Sequence, residues 1–168
     1  MTKRLFFITI LLLFSSLVFS QEKYSVYVFV AEKCPISIYM AKPLQEAFAR
    51  YGNEVDFYTV FPMKNSTEAT AQKFLEKYKL PNFKIKLDNY QGFARKLGAT
   101  ITPEVVVLDE KGEVAFRGRV SDAYKAPGKM KHGVRKNELM TVLEKLTNGQ
   151  SVPKPWAEAV GCYITFHN

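Results

Sequence analysis

Cysteine is almost absent: the 168 residues hold two, Cys34 and Cys162. They form no Cys-x-x-Cys pair, which excludes a vicinal dithiol and a zinc ribbon. Histidine is limited to His132 and His167, and no ligand spacing around them is diagnostic of a metal site. No apolar run reaches the roughly 20 residues that a membrane span needs. The longest, Leu5 to Phe19, is shorter and is broken by Thr9, Ser15 and Ser16. Repeats and low-complexity segments are missing. Positive charge is plentiful, with a net +8, but it is not gathered: Lys73, Lys77, Lys84, Lys125, Lys129 and Lys136 are dispersed among acids. Such a surplus describes a solvated surface and gives nucleic acid no clustered footprint.

What is present begins with a leader. Lys3 and Arg4 make a positive n-region, Leu5 to Phe19 an apolar h-region, and Ser16 and Ser20 the small positions before a cleavage point at Gln21. Removing residues 1–20 takes two positive charges and leaves +6 on one domain-sized chain. The expected location is periplasmic or secreted, where disulfides persist, with no stable membrane anchor after cleavage. An even cysteine count there permits one disulfide. The expected division is a signal peptide at 1–20, a globular domain at 21–149, and a C-terminal tail at 150–168 packing on it.

Periodicity predicts strands at 24–30, 55–61, 83–87, 104–108 and 114–119, and helices at 36–51, 68–78, 90–97 and 135–146. Pro43 is expected to kink the first helix. Asn65-Ser66-Thr67 reads as a helix cap, and 109–112 as a hairpin turn. The alternation argues for an α/β domain with a largely parallel centre. Cys34 falls between the first strand and the first helix. Exposed N–H groups and the helix dipole there favour the thiolate, which is the nucleophile. Pro35 suits the first helical turn, where its missing N–H costs nothing. A thiol shift of this origin is expected to be local and independent of Cys162.

The order of elements, the cysteine after the first strand and Ile101-Thr102-Pro103-Glu104 before an apolar strand together resemble the thioredoxin fold. That resemblance implies a central mixed sheet flanked by helices, a C-terminal tail carrying the second cysteine, and a cis Thr102–Pro103 step facing Cys34. A cis X-Pro bond costs only about 0.5–1 kcal/mol over trans. It turns the preceding backbone toward an extended partner. More narrowly, the runs Phe29 to Ser37, Gly98 to Glu104, Phe116 to Asp122 and Ala159 to Ile164 resemble a redoxin family within the alkyl-hydroperoxide-reductase/thiol-specific-antioxidant group. Two positions depart from the relevant patterns. Ser37 stands where dithiol thioredoxins carry a second cysteine, and Ala31 stands where peroxiredoxins place a threonine or serine.

Several chemistries stay open on these residues. In thiol–disulfide exchange, Cys34 attacks a disulfide, Cys162 resolves the mixed disulfide and Ser37 hydrogen-bonds the thiolate. Pro35, Thr102 and Pro103 would then line the place of a protein or small-molecule thiol or disulfide partner. In a two-cysteine peroxidase, Cys34 passes through a sulfenic acid. Copper binding would draw on Cys34, Cys162, His132, His167, Met40 and Met130. A static Cys34–Cys162 staple, or a redox-inactive binding module, completes the set. No cofactor and no metal is assigned. Trp156 reads as a pin for the tail or as a groove wall, and Arg117 and Arg119 as one charged strand face. The leader reading is checked by intact mass after expression in a secreting host. The expected product begins near Gln21, and full-length chain in the membrane fraction would overturn the assignment.

Overall fold

The computed structural model describes residues 24–167. The leader expected at 1–20 therefore lies outside the described residues. Five strands form a sheet in the order β3-β2-β1-β5-β6. They are β1 (Ser25–Phe29), β2 (Asp56–Phe61), β3 (Lys84–Leu87), β5 (Glu104–Leu108) and β6 (Val114–Gly118). β1, β2 and β3 run parallel, while β5 and β6 are antiparallel additions, so the sheet is mixed. Two short pairs lie outside it: β4 (Ile101–Thr102) with β9 (Cys162–Tyr163), and β7 (Tyr124–Ala126) with β8 (Lys129–Met130). The helices are α1 (Pro35–Tyr39), α2 (Ala41–Tyr51), α3 (Glu68–Lys77), α4 (Gly92–Leu97) and α5 (Glu138–Thr147).

Strand side chains alternate between two apolar layers, as a period of two requires. Val26, Val28, Phe57, Phe61, Val105 and Val107 join the larger cluster, with Leu44, Phe74 and Leu143 of the helices. Phe29, Val60, Val106 and Leu108 face the opposite side, against Ala94, Leu97 and Ile164. α4 and the end of the tail thus cover one face. The sheet is buried on both sides, which explains why β5 reads as an unbroken apolar run.

The sequence expected one helix over 36–51 kinked at Pro43, but the structure breaks it at Met40, between α1 and α2. The cause is still Pro43. Its ring clashes with the carbonyl four residues earlier, at Tyr39, and it offers no N–H to that carbonyl. The helix opens there, and Leu44 N–H restarts the ladder on the Met40 carbonyl at 3.1 Å. Thr67 caps α3 through a reciprocal box with Thr70, as the Asn-Ser-Thr run suggested. Asn137, inside the stretch expected to be helical from 135, is instead the cap of α5; its side chain accepts from Met140 N–H and donates to the Pro43 carbonyl at 2.8 Å.

Phe57 is buried between Phe48 and Phe83, with ring centroids 5.4 and 5.1 Å away. Phe57→Ala should cost about 3–5 kcal/mol, since both the transfer free energy and the unfilled cavity count against it. Urea titration checks this: the midpoint falls while the slope stays that of wild type.

Candidate functional site

Cys34 ends the turn that follows β1. Its N–H donates to the Ala31 carbonyl at 3.0 Å, its backbone is extended, and Pro35 begins α1 directly after it. The thiol is buried, with 3% of the residue exposed. It donates to the Thr102 carbonyl at 3.3 Å. Thr102–Pro103 is cis, as the resemblance implied. Ser37 is buried beneath the turn, and its hydroxyl accepts from Ala31 N–H at 3.3 Å.

The second cysteine arrives on the tail. Cys162 pairs with Thr102 and Tyr163 with Ile101, antiparallel. Thr102 Oγ1 adds a hydrogen bond to the Cys162 carbonyl at 3.2 Å. Ile164 N–H donates to the Thr100 carbonyl at 2.9 Å, and the Ile164 side chain is buried in the smaller cluster. Gly161 is required by this approach: a Cβ there would meet the Thr102 carbonyl oxygen at 2.0 Å. Upstream, Trp156 packs on Phe116 at 5.8 Å between centroids and donates to the Val152 carbonyl. Arg119 N–H donates to the Ala157 carbonyl at 3.3 Å. The tail is pinned on both sides of Cys162.

Neither cysteine is in a disulfide, and both meet Thr102: Cys162 pairs with it and the Cys34 thiol donates to its carbonyl. Burial pushes the Cys34 thiol up, but hydrogen bonds from the Cys162 thiol, from the Ser37 N–H and hydroxyl and from the Ile36 N–H outweigh it and leave Cys34 below its ordinary value. The N–H groups at the helix start lower it, as the sequence suggested, but the shift is not independent of Cys162, since the tail contributes too. Cys162 moves the other way. Burial, its hydrogen bond to Cys34 and the neighbouring negative charge push it up to about 11. Together the two thiols share one proton more readily than they lose two.

Glu104 has no sequence-assigned role, yet it belongs to this site. It follows Pro103, is buried, and its Oε2 accepts from Thr100 N–H at 2.8 Å and Ile101 N–H at 3.3 Å. Arg117 Nε lies 3.8 Å from its other oxygen. Burial pushes the Glu104 carboxyl above its ordinary value against the pull of those groups. Its signal in the sequence was a lone acid opening an otherwise apolar strand. Arg117 is thus turned to Glu104 and Arg119 to Glu138, which it grips with two 2.6 Å bonds; neither contacts Cys34. Of the copper donors weighed, Met40 is buried in the core and His132 and His167 are exposed. Among the described residues no three His, Cys, Asp or Glu side chains cluster for a metal.

Residues 17–126 match the thioredoxin-like domain family. The chain belongs to that family. The match is coarser than the redoxin grouping drawn from the sequence, and it stops before the tail. No curated protein matches. Among solved structures, a hypothetical protein of Sinorhizobium meliloti 1021 is similar at 17% identity and a TM-score of 0.73, over 86% of this chain and 80% of that one. An uncharacterized conserved protein from Geobacillus kaustophilus is similar at 19% and 0.72, over 88% and 79%. A secreted Mycobacterium tuberculosis disulfide oxidoreductase homologous to E. coli DsbE is similar at 19% and 0.54, over 73% and 81%. At these identities the likeness is one of fold. Within the described residues no helix is long and apolar enough to cross a membrane.

The thiol asymmetry has a direct readout. Cys34 should alkylate with a pH inflection below that of a free cysteine peptide measured alongside, and before the more exposed Cys162. Cys162→Ala should raise the Cys34 inflection, because the largest hydrogen bond favouring its thiolate is removed. An unchanged inflection would show that the tail does not tune Cys34.

Proposed function

We propose that this chain is an exported thiol–disulfide oxidoreductase in which Cys34 is the nucleophile and Cys162 the resolving thiol. The observation that carries the reading is that both cysteines meet Thr102: Cys162 pairs with it antiparallel, and the Cys34 thiol donates to its carbonyl. The Cys34 thiolate attacks one sulfur of a partner disulfide, and the partner's other sulfur leaves as a thiolate. Cys162 then attacks Cys34 Sγ. A Cys34–Cys162 bond forms, the mixed disulfide breaks, and the partner's second sulfur departs with the proton that Cys162 gives up. The partner gains two electrons and the protein loses them; the reverse sequence oxidises a partner dithiol.

Ser37 and Pro35 serve the first step. The Ser37 N–H and hydroxyl favour the Cys34 thiolate, and Pro35 starts α1 where its missing N–H would have had no helical partner. Thr102 and Pro103 serve the partner. An extended segment bearing the target cysteine would add to the Ile101–Thr102 edge, which requires β9 to yield that edge. Export follows from the leader reading, with residues 1–20 removed, 21–149 forming the domain and 150–168 its tail. A peroxidase would use the same Cys34, but Ala31 offers no hydroxyl where that mechanism needs one.

Trapping tests the proposal. Cys162→Ala treated with glutathione disulfide should accumulate a stable mixed disulfide at Cys34, seen as one glutathione adduct by mass. Wild type should pass through that adduct to an internal disulfide, and Cys34→Ala should form no adduct on Cys34's peptide. If Cys162→Ala forms no adduct, or reduces glutathione disulfide through repeated cycles as well as wild type, Cys162 is not the resolving thiol.

A further inference from the structure

The β4–β9 ladder that aligns Cys162 is only two residues on each side. An isolated pair of that length cannot hold its own register in water. Something rigid must fix the 100–102 segment. Its far side offers two N–H groups, Thr100 and Ile101, and both end on one oxygen of Glu104. Glu104 itself opens β5 opposite Phe29, with Val105 to Leu108 paired to β1 on one side and β6 on the other. The carboxylate therefore spans from the most constrained part of the sheet to the least constrained part of the site. Its bonds are charge-assisted, stronger than those of a neutral acceptor. Glu104 is 6% exposed, so water does not substitute for it freely. Arg117 stands at its second oxygen, and Lys154 and Glu158 line the cleft of about 810 Å³ on that side.

We propose that Glu104 is a positioning residue for the exchange site: by tying Thr100 and Ile101 to β5 it holds the Thr102 carbonyl against Cys34 and keeps the edge on which Cys162 is aligned. The proposal rests on the exchange reading above for its kinetic consequence. It assigns Glu104 no contact with a reacting sulfur. Its main effect is on the internal step, the attack of Cys162 on Cys34; because the same edge brings Cys162 to Cys34, losing it also raises the Cys34 inflection.

Glu104→Leu removes the acceptor, while Glu104→Gln keeps an oxygen for both N–H groups and loses the charge that strengthens those bonds and faces Arg117. Each variant is loaded with glutathione at Cys34 and the release of glutathione by Cys162 is timed. Glu104→Leu should slow this closure tenfold or more, while Glu104→Gln should stay within threefold of wild type. At a pH above the Cys34 inflection of both proteins, iodoacetamide should modify Cys34 of folded Glu104→Leu no more slowly than wild type, which separates lost alignment from a blocked thiol. A folded Glu104→Leu that closes within threefold of wild type overturns the proposal.

If that variant does not fold, amide exchange in wild type decides. The Thr100 and Ile101 N–H groups should be protected to the level of β1, and unprotected exchange at either overturns the tie. If wild type forms no internal disulfide, the exchange reading falls by itself. Protection of the same two amides, kept in Glu104→Gln, then still supports Glu104 as the tie, and its absence refutes it.

Discussion

The site turns on a single backbone carbonyl. Thr102 C=O accepts the Cys34 thiol, while the rest of the same residue pairs with Cys162 through both its backbone and its hydroxyl. Cys34 reaches that carbonyl because β1 delivers it from the middle of the sheet, beside β5. Cys162 reaches it because the tail crosses the 100–102 segment at a residue with no side chain. Moving Thr102 would carry β9 with it and so draw Cys162 away from Cys34, although β1 and α1 had not moved.

The electrostatics follow from that placement. A buried thiol ordinarily resists ionisation, and Cys34 overcomes this only because donors converge on it from α1 and from the tail. Cys162 bears the opposite effect, since a thiol that lends its hydrogen to a neighbour becomes harder to ionise. In the proposed exchange that asymmetry would make Cys34 the attacking sulfur and keep Cys162 protonated until Cys34 has reacted. Perturbed groups of this kind gather at functional sites.

Most of the scaffold was legible because it is written in long periodic segments. The five sheet strands and the helices at 68–77 and 138–147 carry clear alternation or caps, and the Thr-Pro step before β5 was a local signal with a known geometry. The elements missed are short and depend on partners far away in the chain. β9 is two residues long and owes its existence to Thr102, which lies 60 positions earlier. The β7–β8 hairpin likewise has too few residues to show a period. The break at Met40 was misplaced because a proline acts on the carbonyl four residues before it, not on its own position. Glu104 could be read only as an anomaly, since its two donors follow from a loop whose path no periodicity describes.

The tail's double anchorage limits how the chain can change in length. Trp156 and the Ala157 carbonyl are held by β6, where a Cβ on Gly118 would meet that carbonyl oxygen at 2.5 Å, and Ile164 is held in the smaller apolar layer. Between these points Cys162 and Tyr163 are extended, so their side chains alternate in direction. Loss or gain of one residue between Cys162 and Ile164 would leave both anchors in place and turn the position now held by Cys162 to the other side of the ladder. Substitutions along this stretch are graded in their effect, whereas a single-codon insertion or deletion is all-or-none. The spacing is a reading frame of its own, kept by the sheet and not by any residue within it.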